Sequence, residues 1–372
     1  MIAVVGGGLA GLAAAARLAK VGHEIVVLER EPELGAGVDV AGEPDETVIT
    51  LPSAWRDLFR KSGRTLDAEF DRAGLALVPA PARSHRFADG SSLVLPTDRG
   101  EQWATLSDSF GEPAAIAWRD LLDRLDGTWQ ALRRLGLESE FTGKEQLTAE
   151  VRARLRPRES IARLAAGLPV AQLTELVLDV AARLGQDPRR LPGWHAVRLS
   201  VERTFGRWQV SDAAGVPQPA DVLVGMLVER LATRGVRVLT GVEVVRIRKG
   251  AEGPRIETTD GRLDVTTVIS TLNPIDHADL TRDKADFRTA RAVRPAAVNG
   301  PLWASWHTLL DLPRLQTAVP GVLVASAWSP AGPDAWAQLL TGALAAYRVH
   351  GHLTGEDIRP TNKDYRPGST RR

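Results

Sequence analysis

The sequence predicts an α/β protein in which a parallel-sheet domain is interleaved with a second, α+β domain. Three observations predict it. Residues 2–29 read as strand, glycine turn, helix, strand, acid. Long helix-rich material follows, and buried-strand patterns of the first kind return near residue 235. A further strand, GVLVASAW (321–328), precedes a helix pattern, DAWAQLLTGALAAYR (334–348). A chain of 372 residues has room for two domains, and this order makes the first of them discontinuous.

Composition sets the outer bounds. Hydrophobic residues make up 44% and charged residues 25%, which suits a globular chain rather than a disordered, collagen-like or coiled-coil one. With 47 basic against 46 acidic residues there is no global field to recruit nucleic acid, and none is expected as a partner. The absence of Cys excludes disulfides, thiolate catalysis, Cys-ligated zinc and iron–sulfur clusters, and no metal ligands are assigned. Redox chemistry in this chain therefore needs a bound cofactor. The apolar start, residues 2–19, lacks the basic leader and cleavage site of a signal peptide and carries Arg17. Elsewhere no run of about 18 apolar residues reads as a membrane span, so the expected location is cytoplasmic.

Each element of the opening unit has a physical reason. Ile2 to Val5 is a short buried strand. GGGLAGL (6–12) follows and leads into an Ala/Leu helix, and EIVVL (24–28) is a second buried strand that ends at Glu29. Gly6 permits the tight turn, Gly8 lets backbone approach a pyrophosphate, and Gly11 lets helix and strand pack closely. Leu9 and Ala10 open the helix whose free N–H groups favour the phosphate. Glu29, 23 residues after Gly6, is positioned to accept hydrogen bonds from ribose hydroxyls and to repel a 2′-phosphate. This is a Rossmann-like dinucleotide unit. The following REPELGAG (30–37) places a glycine pair, Gly35 and Gly37, shortly after the acid, which favours FAD over NAD.

The remaining elements follow in order. TVITLP (47–52) is β-rich, and SAWRDLFRKSG (53–63) reads as a helix capped by Ser53. Residues 75–95 hold three short β runs, the last two joined at Asp89-Gly90. Residues 101–184 are mainly helical, and a helix pattern covers 193–205. A helix runs from Pro219 to Thr233, and strands then alternate through 235–271 with a hairpin at Asp260-Gly261. Residues 301–312 are a further strand candidate, and the tail from Pro360 is polar and loose.

These residues resemble the phytoene desaturase-like flavoproteins of the wider amine-oxidase-like FAD superfamily, in a shortened form. The resemblance is carried by GGGLAGL with VVLER, by RLGQDPRRLP (183–192) with VERTFGRW (201–208), by TRGVRVLTGVEVVRI (233–247) with VISTLNP (268–274), and by SAWSPAGPDAWAQLLTGALAA (326–346). It implies a Rossmann-like FAD-binding domain formed by 1–52, 219–272 and 318–350, a substrate domain formed by 53–218 and 273–317, and a loose tail, 351–372. It implies noncovalent FAD, with Arg30 beside the acid, Val244 meeting the adenine through its backbone, Ser270 and Thr271 beside the cofactor, and the segment from Ser326 to Gly342 reaching the flavin. Gly35-Ala36-Gly37-Val38 stands where the family has a Gly-Gly-Arg type sequence.

The resemblance also implies an activity: hydride removal from an apolar, isoprenoid- or lipid-like small molecule. Such chemistry belongs to the flavin and needs few titratable groups. The catalytic candidate is His307, beside Trp306, read against the commoner role of a hydrogen-bonded strand histidine. Ten Trp stand against two Tyr; Trp194, Trp208, Trp303 and Trp306 read as packing or as an aromatic tunnel. Arg183, Arg190 and Glu202 read as helix-orienting ion pairs. The arginines of 152–163 read as a solvated face, or as a peripheral contact with an anionic membrane surface. The alternatives are a flavin amine oxidase, for which none of the six Lys has a matching strand context, and an FAD-fold binding protein without turnover.

Overall fold

The computed structural model describes residues 1–35, 38, 40, 46–297 and 310–359. Five parallel strands form its central sheet, in the order Val322–Val324, Thr267–Ser270, β1 (Ile2–Val5), β2 (Ile25–Leu28) and Arg237–Leu239. The first three of these in chain order come from residues 2, 25 and 237, so the sheet gathers segments that lie far apart in sequence. Their residues are mostly β-branched and buried on both faces, as parallel strands require.

Alternation divides the strands between two cores. Ile2, Val4, Ile25 and Val27 join the helices on one face, with α1 (Leu9–Lys20), Val222–Thr233 and the long helix Ala335–Thr354. Ala3, Val5, Val26 and Leu28 meet Val242, Val244, Ile247 and Ile256 on the other. That second face is covered by an antiparallel ribbon, Val244–Lys249, Pro254–Thr258 and Gly261–Asp264. The α1 helix and Ala335–Thr354 pack closely: a Cβ on Gly342 would lie 2.2 Å from the Ala10 carbonyl oxygen.

The rest of the chain builds around a second sheet. Arg207–Asp212 pairs with β3 (Val48–Thr50) on one side and Leu75–Pro79 on the other, with Pro217–Gln218 alongside. The hairpin Arg83–Arg86 with Ser92–Leu95 turns at Gly90, which has φ +86°. Helices between residues 99 and 205 enclose an apolar core of their own, with Trp118, Leu122, Ile161 and Val177 at its centre.

Three expectations shift. β3 lies before residue 52 yet belongs to the second sheet. α2 (Pro52–Ser62) lies after it yet packs on α1, where the buried Arg17 holds Asp57 at 2.7 Å. The break between units therefore falls inside the segment, not at its end. Ser53 is not the cap of α2: the helix starts on Pro52, whose fixed φ suits a first turn, behind Leu51 at φ +49°. The long helix continues to Thr354, so the beginning of the 351–372 segment is helical. His307, Trp303, Trp306, Ala36, Gly37, the 301–309 part of the strand candidate and the tail from Pro360 lie outside the described residues.

Candidate dinucleotide site

The sheet reverses its winding at β1. The chain leaves β1 through α1 to β2 on one side, while Thr267–Ser270 lies on the other. Ligands of open α/β sheets sit at such a switch point, beyond the carboxyl ends of the strands. Gly6, Glu29, Thr271 and Ser326 all follow the carboxyl ends of sheet strands.

Thr271 forms the floor of the glycine loop. Its N–H donates to the Val5 carbonyl at 2.9 Å, its hydroxyl donates to the same oxygen at 3.1 Å, and its Oγ1 accepts from the Gly8 N–H at 3.4 Å. This one side chain accounts for three glycines. A Cβ would approach Thr271 to 2.3 Å from Gly6, 3.0 Å from Gly8 and 2.3 Å from Gly11, and Gly11 would also meet Val4 at 2.7 Å. Gly6 needs its freedom for a second reason, since its φ is +92°. The tight turn and the close helix–strand packing expected of Gly6 and Gly11 are thus present. For Gly8 the structure adds a packing reason to the proposed approach of phosphate.

Glu29 closes the other side. One carboxylate oxygen accepts from the Gly7 N–H, and the other from the Glu31 N–H at 2.9 Å. Gly7 was not singled out by the spacing, although a side chain there would strike Glu29 at 2.8 Å. The N–H groups of Leu9 and Ala10 donate to no described residue, and both residues are fully buried. Buried amides without an acceptor are uncommon, and at a helix N-terminus they select an anion.

Other expected residues lie further out. Arg30 is exposed and donates to Glu31 at 3.2 Å. Val244 pairs with Thr258 in the ribbon; it is Val242 whose N–H reaches the Glu29 carbonyl, at 3.0 Å. Ser270 is buried, its carbonyl accepting from the Ala325 N–H at 2.9 Å. The Ser326 hydroxyl accepts from the Trp328 N–H at 3.2 Å and shapes the turn after its strand. Gly342 sits in the middle of a helix and serves its packing on α1.

At the junction of the two units the structure assembles residues that spacing did not reveal. Trp129 meets Trp336 edge-on, with ring centroids 5.3 Å apart. They line a cavity with Trp194, His195, Arg198 and Asp334. An adjoining cavity shares Arg198, Asp334 and Trp336 and adds Thr50, Trp55 and Glu202. The expected ion pair of the middle segment is present, with Arg183 and Arg83 each 3.3 Å from Glu202. Trp208 instead donates to the Phe205 carbonyl at 2.6 Å and carries Arg56 over its ring. No group of three or more metal-ligating side chains occurs among the described residues. No described helix is long and apolar enough to cross a membrane.

Comparison with known proteins agrees with this geometry. Residues 4–64 match the family model of the NAD(P)-binding Rossmann-like domain. The chain is 33% identical over 169 residues to phytoene dehydrogenase of Streptomyces griseus, covering 44% of this chain and 32% of that protein. It is 29% identical over 303 residues to hydroxyneurosporene desaturase of Cereibacter sphaeroides, covering 76% and 56%. In structure it is similar to cyclohexylamine oxidase from Brevibacterium oxydans, with a TM-score of 0.59 and 13% identity over 95% of this chain and 99% of that one. The chain thus carries an NAD(P)-binding Rossmann-like domain and is similar to these desaturases in sequence and to this amine oxidase in fold. It spans between a third and a little over half of the length of the curated relatives it matches.

Proposed function

We propose that this chain is an FAD-dependent oxidoreductase that removes hydride from an apolar, isoprenoid- or lipid-like small molecule. The observation that carries the reading is the crevice between α1 and Thr271. Two buried amides there have no acceptor among the described residues, and a carboxylate stands at the end of β2. Anion and diol recognition side by side suit the pyrophosphate and ribose of a dinucleotide. In this reading Leu9 and Ala10 hold the pyrophosphate, Glu29 the ribose, and the glycines keep the loop low enough for both. The cofactor is held without a covalent bond, and its flavin supplies the hydride acceptor.

The chain's own residues bind, orient and exclude water. The Trp129, Trp194 and Trp336 side chains give the junction cavity an apolar wall suited to a hydrocarbon body. The desaturase relatives support a polyene-type substrate, and the amine oxidase reading has no residue in its favour among those described. The exposed arginines of 152–163 support a peripheral contact with an anionic membrane.

The test is direct. The purified protein is expected to be yellow, to release FAD on denaturation, and to bleach anaerobically with polyenes. A colourless protein that does not rebind FAD overturns the cofactor reading. Bleaching by amines and not by polyenes overturns the substrate class.

A further inference from the structure

The helix Ala335–Thr354 begins on an aspartate that does not cap it. Asp334 has the backbone of an N-cap residue, φ −56° and ψ 143°, and its carbonyl accepts from the Gln338 N–H at 3.0 Å. An aspartate in that position ordinarily turns its carboxylate onto the second or third amide of the helix. Here Arg198 takes the carboxylate instead. Its Nη2 donates to Oδ2 at 2.6 Å and its Nε to Oδ1 at 3.3 Å. The third arm, Nη1, donates to His195 Nδ1 at 3.1 Å. A guanidinium only donates, so that ring nitrogen is the unprotonated acceptor. The fork is fixed on both sides, and a fixed fork holds a carboxylate in one orientation.

The consequence appears in the first turn of the helix. The N–H groups of Ala335, Trp336 and Ala337 donate to no described residue, although all three residues are buried. A second unsatisfied donor lies beside them. Trp129 is 5% exposed, lines the same cavity as Asp334 and Trp336, and its Nε1–H has no partner among the described residues.

We infer that Arg198 is a positioning residue that keeps the start of this helix open for an electron-rich oxygen of the cofactor. By drawing the Asp334 carboxylate aside, it prevents the helix from capping itself and leaves the first-turn amides available. Arg198 comes from the helix Val197–Phe205 of the second unit, so the second unit prepares the seat in the first. Without Arg198, Asp334 is free to turn onto its own helix. It then satisfies those donors and places a negative charge where the ligand oxygen belongs. This inference rests on the FAD reading, and it predicts opposite effects on ligand affinity and on the ligand-free helix.

The test is a cycle of Arg198→Ala, Asp334→Ala and the double variant, read by FAD titration into apoprotein and by amide hydrogen exchange. Arg198→Ala is expected to raise the FAD dissociation constant about five- to tenfold, the worth of one cap. In the same apoprotein, exchange at Ala335–Ala337 is expected to slow. The double variant is expected to recover most of the lost affinity. A loss of affinity that Asp334→Ala does not relieve overturns the inference, as does unchanged exchange in Arg198→Ala. If not even the wild-type chain binds FAD, the cofactor reading fails on its own. The exchange measurement then still decides whether Arg198 controls the cap.

Discussion

Two helices begin at the carboxyl edge of the central sheet, and by different means both leave their first amides without an acceptor among the described residues. At α1 the N-cap residue is Gly8, which has no side chain with which to cap. At Ala335–Thr354 the N-cap residue is Asp334, which has a suitable side chain that Arg198 holds elsewhere. Scaffold helices of the same chain are treated otherwise. Thr65, Asp98, Thr148, Ser160 and Asn273 each accept a hydrogen bond from the first turn of their own helix. An open start made by glycine is built into the backbone, whereas one made by an ion pair depends on another part of the molecule. The first should tolerate changes at a distance, and the second should not.

Three substitutions or conditions press on this contrast. The largest effect is expected at the glycine-made start. Gly11→Val forces a side chain into Thr271 and Val4, so retained flavin should fall by about a hundredfold or more in the absorbance ratio of the purified protein. Undiminished flavin in this variant would remove α1 from the site.

The next effect concerns what joins the two helices. Gly342→Val drives a side chain into the Ala10 backbone, and overpacking of this kind costs about 1–3 kcal/mol. A thermal scan should show Tm lower by several degrees in the absence of cofactor. Full apoprotein stability with weakened FAD binding would instead make Gly342 a cofactor contact.

The smallest effect concerns their far ends. His23, just after α1, and His350, on the long helix, share a hydrogen bond of 2.9 Å. Burial first, and then His350 and the chain N-terminus, hold the His23 imidazole below its usual 6.5. The unfolded chain therefore binds the proton more readily. This contribution to stability is present above about pH 6.5, is lost as pH falls through that value, and levels off below the folded pKa. A Tm lower by a degree or two at pH 5.5 than at pH 7.5, reduced by His350→Phe because burial of His23 remains, is the expected result. An unchanged pH slope in that variant would dissociate the histidine pair from stability.

The glycine-made start was legible in the sequence and the ion-pair-made start was not. GGGLAGL, the strand before it and Glu29 after it lie within thirty residues, where spacing translates directly into geometry. The partner of that loop, Thr271, could be named only through resemblance, because it lies 263 residues from the Gly8 amide it meets. Asp334 before an Ala/Leu run reads locally as an ordinary cap, and only the fold brings in Arg198, 136 residues away. The same limit applied to the tryptophans. Trp194 was singled out beside a family segment, while Trp129 and Trp336 lie in ordinary helix patterns and reveal their pairing only in three dimensions. Gly342 shows the converse case. Resemblance tied it to the cofactor segment, whereas the structure gives it a neighbour, Ala10, that explains a glycine by packing.

The central position of β1 also has a consequence for how the chain reaches this fold. β1 is flanked by β2, which emerges from the ribosome almost at once, and by Thr267–Ser270, which pairs Ile2 with Thr267. At roughly 5–20 residues per second, translation separates the two partners by roughly 12–48 s. During that interval one whole side of β1 is a bare, β-branched edge of the kind that recruits other strands. The helical core of residues 87–199 is local enough to form meanwhile. The ligand crevice, which needs Thr271 against the glycine loop, is therefore completed only after that strand has been made, long after the glycine loop itself.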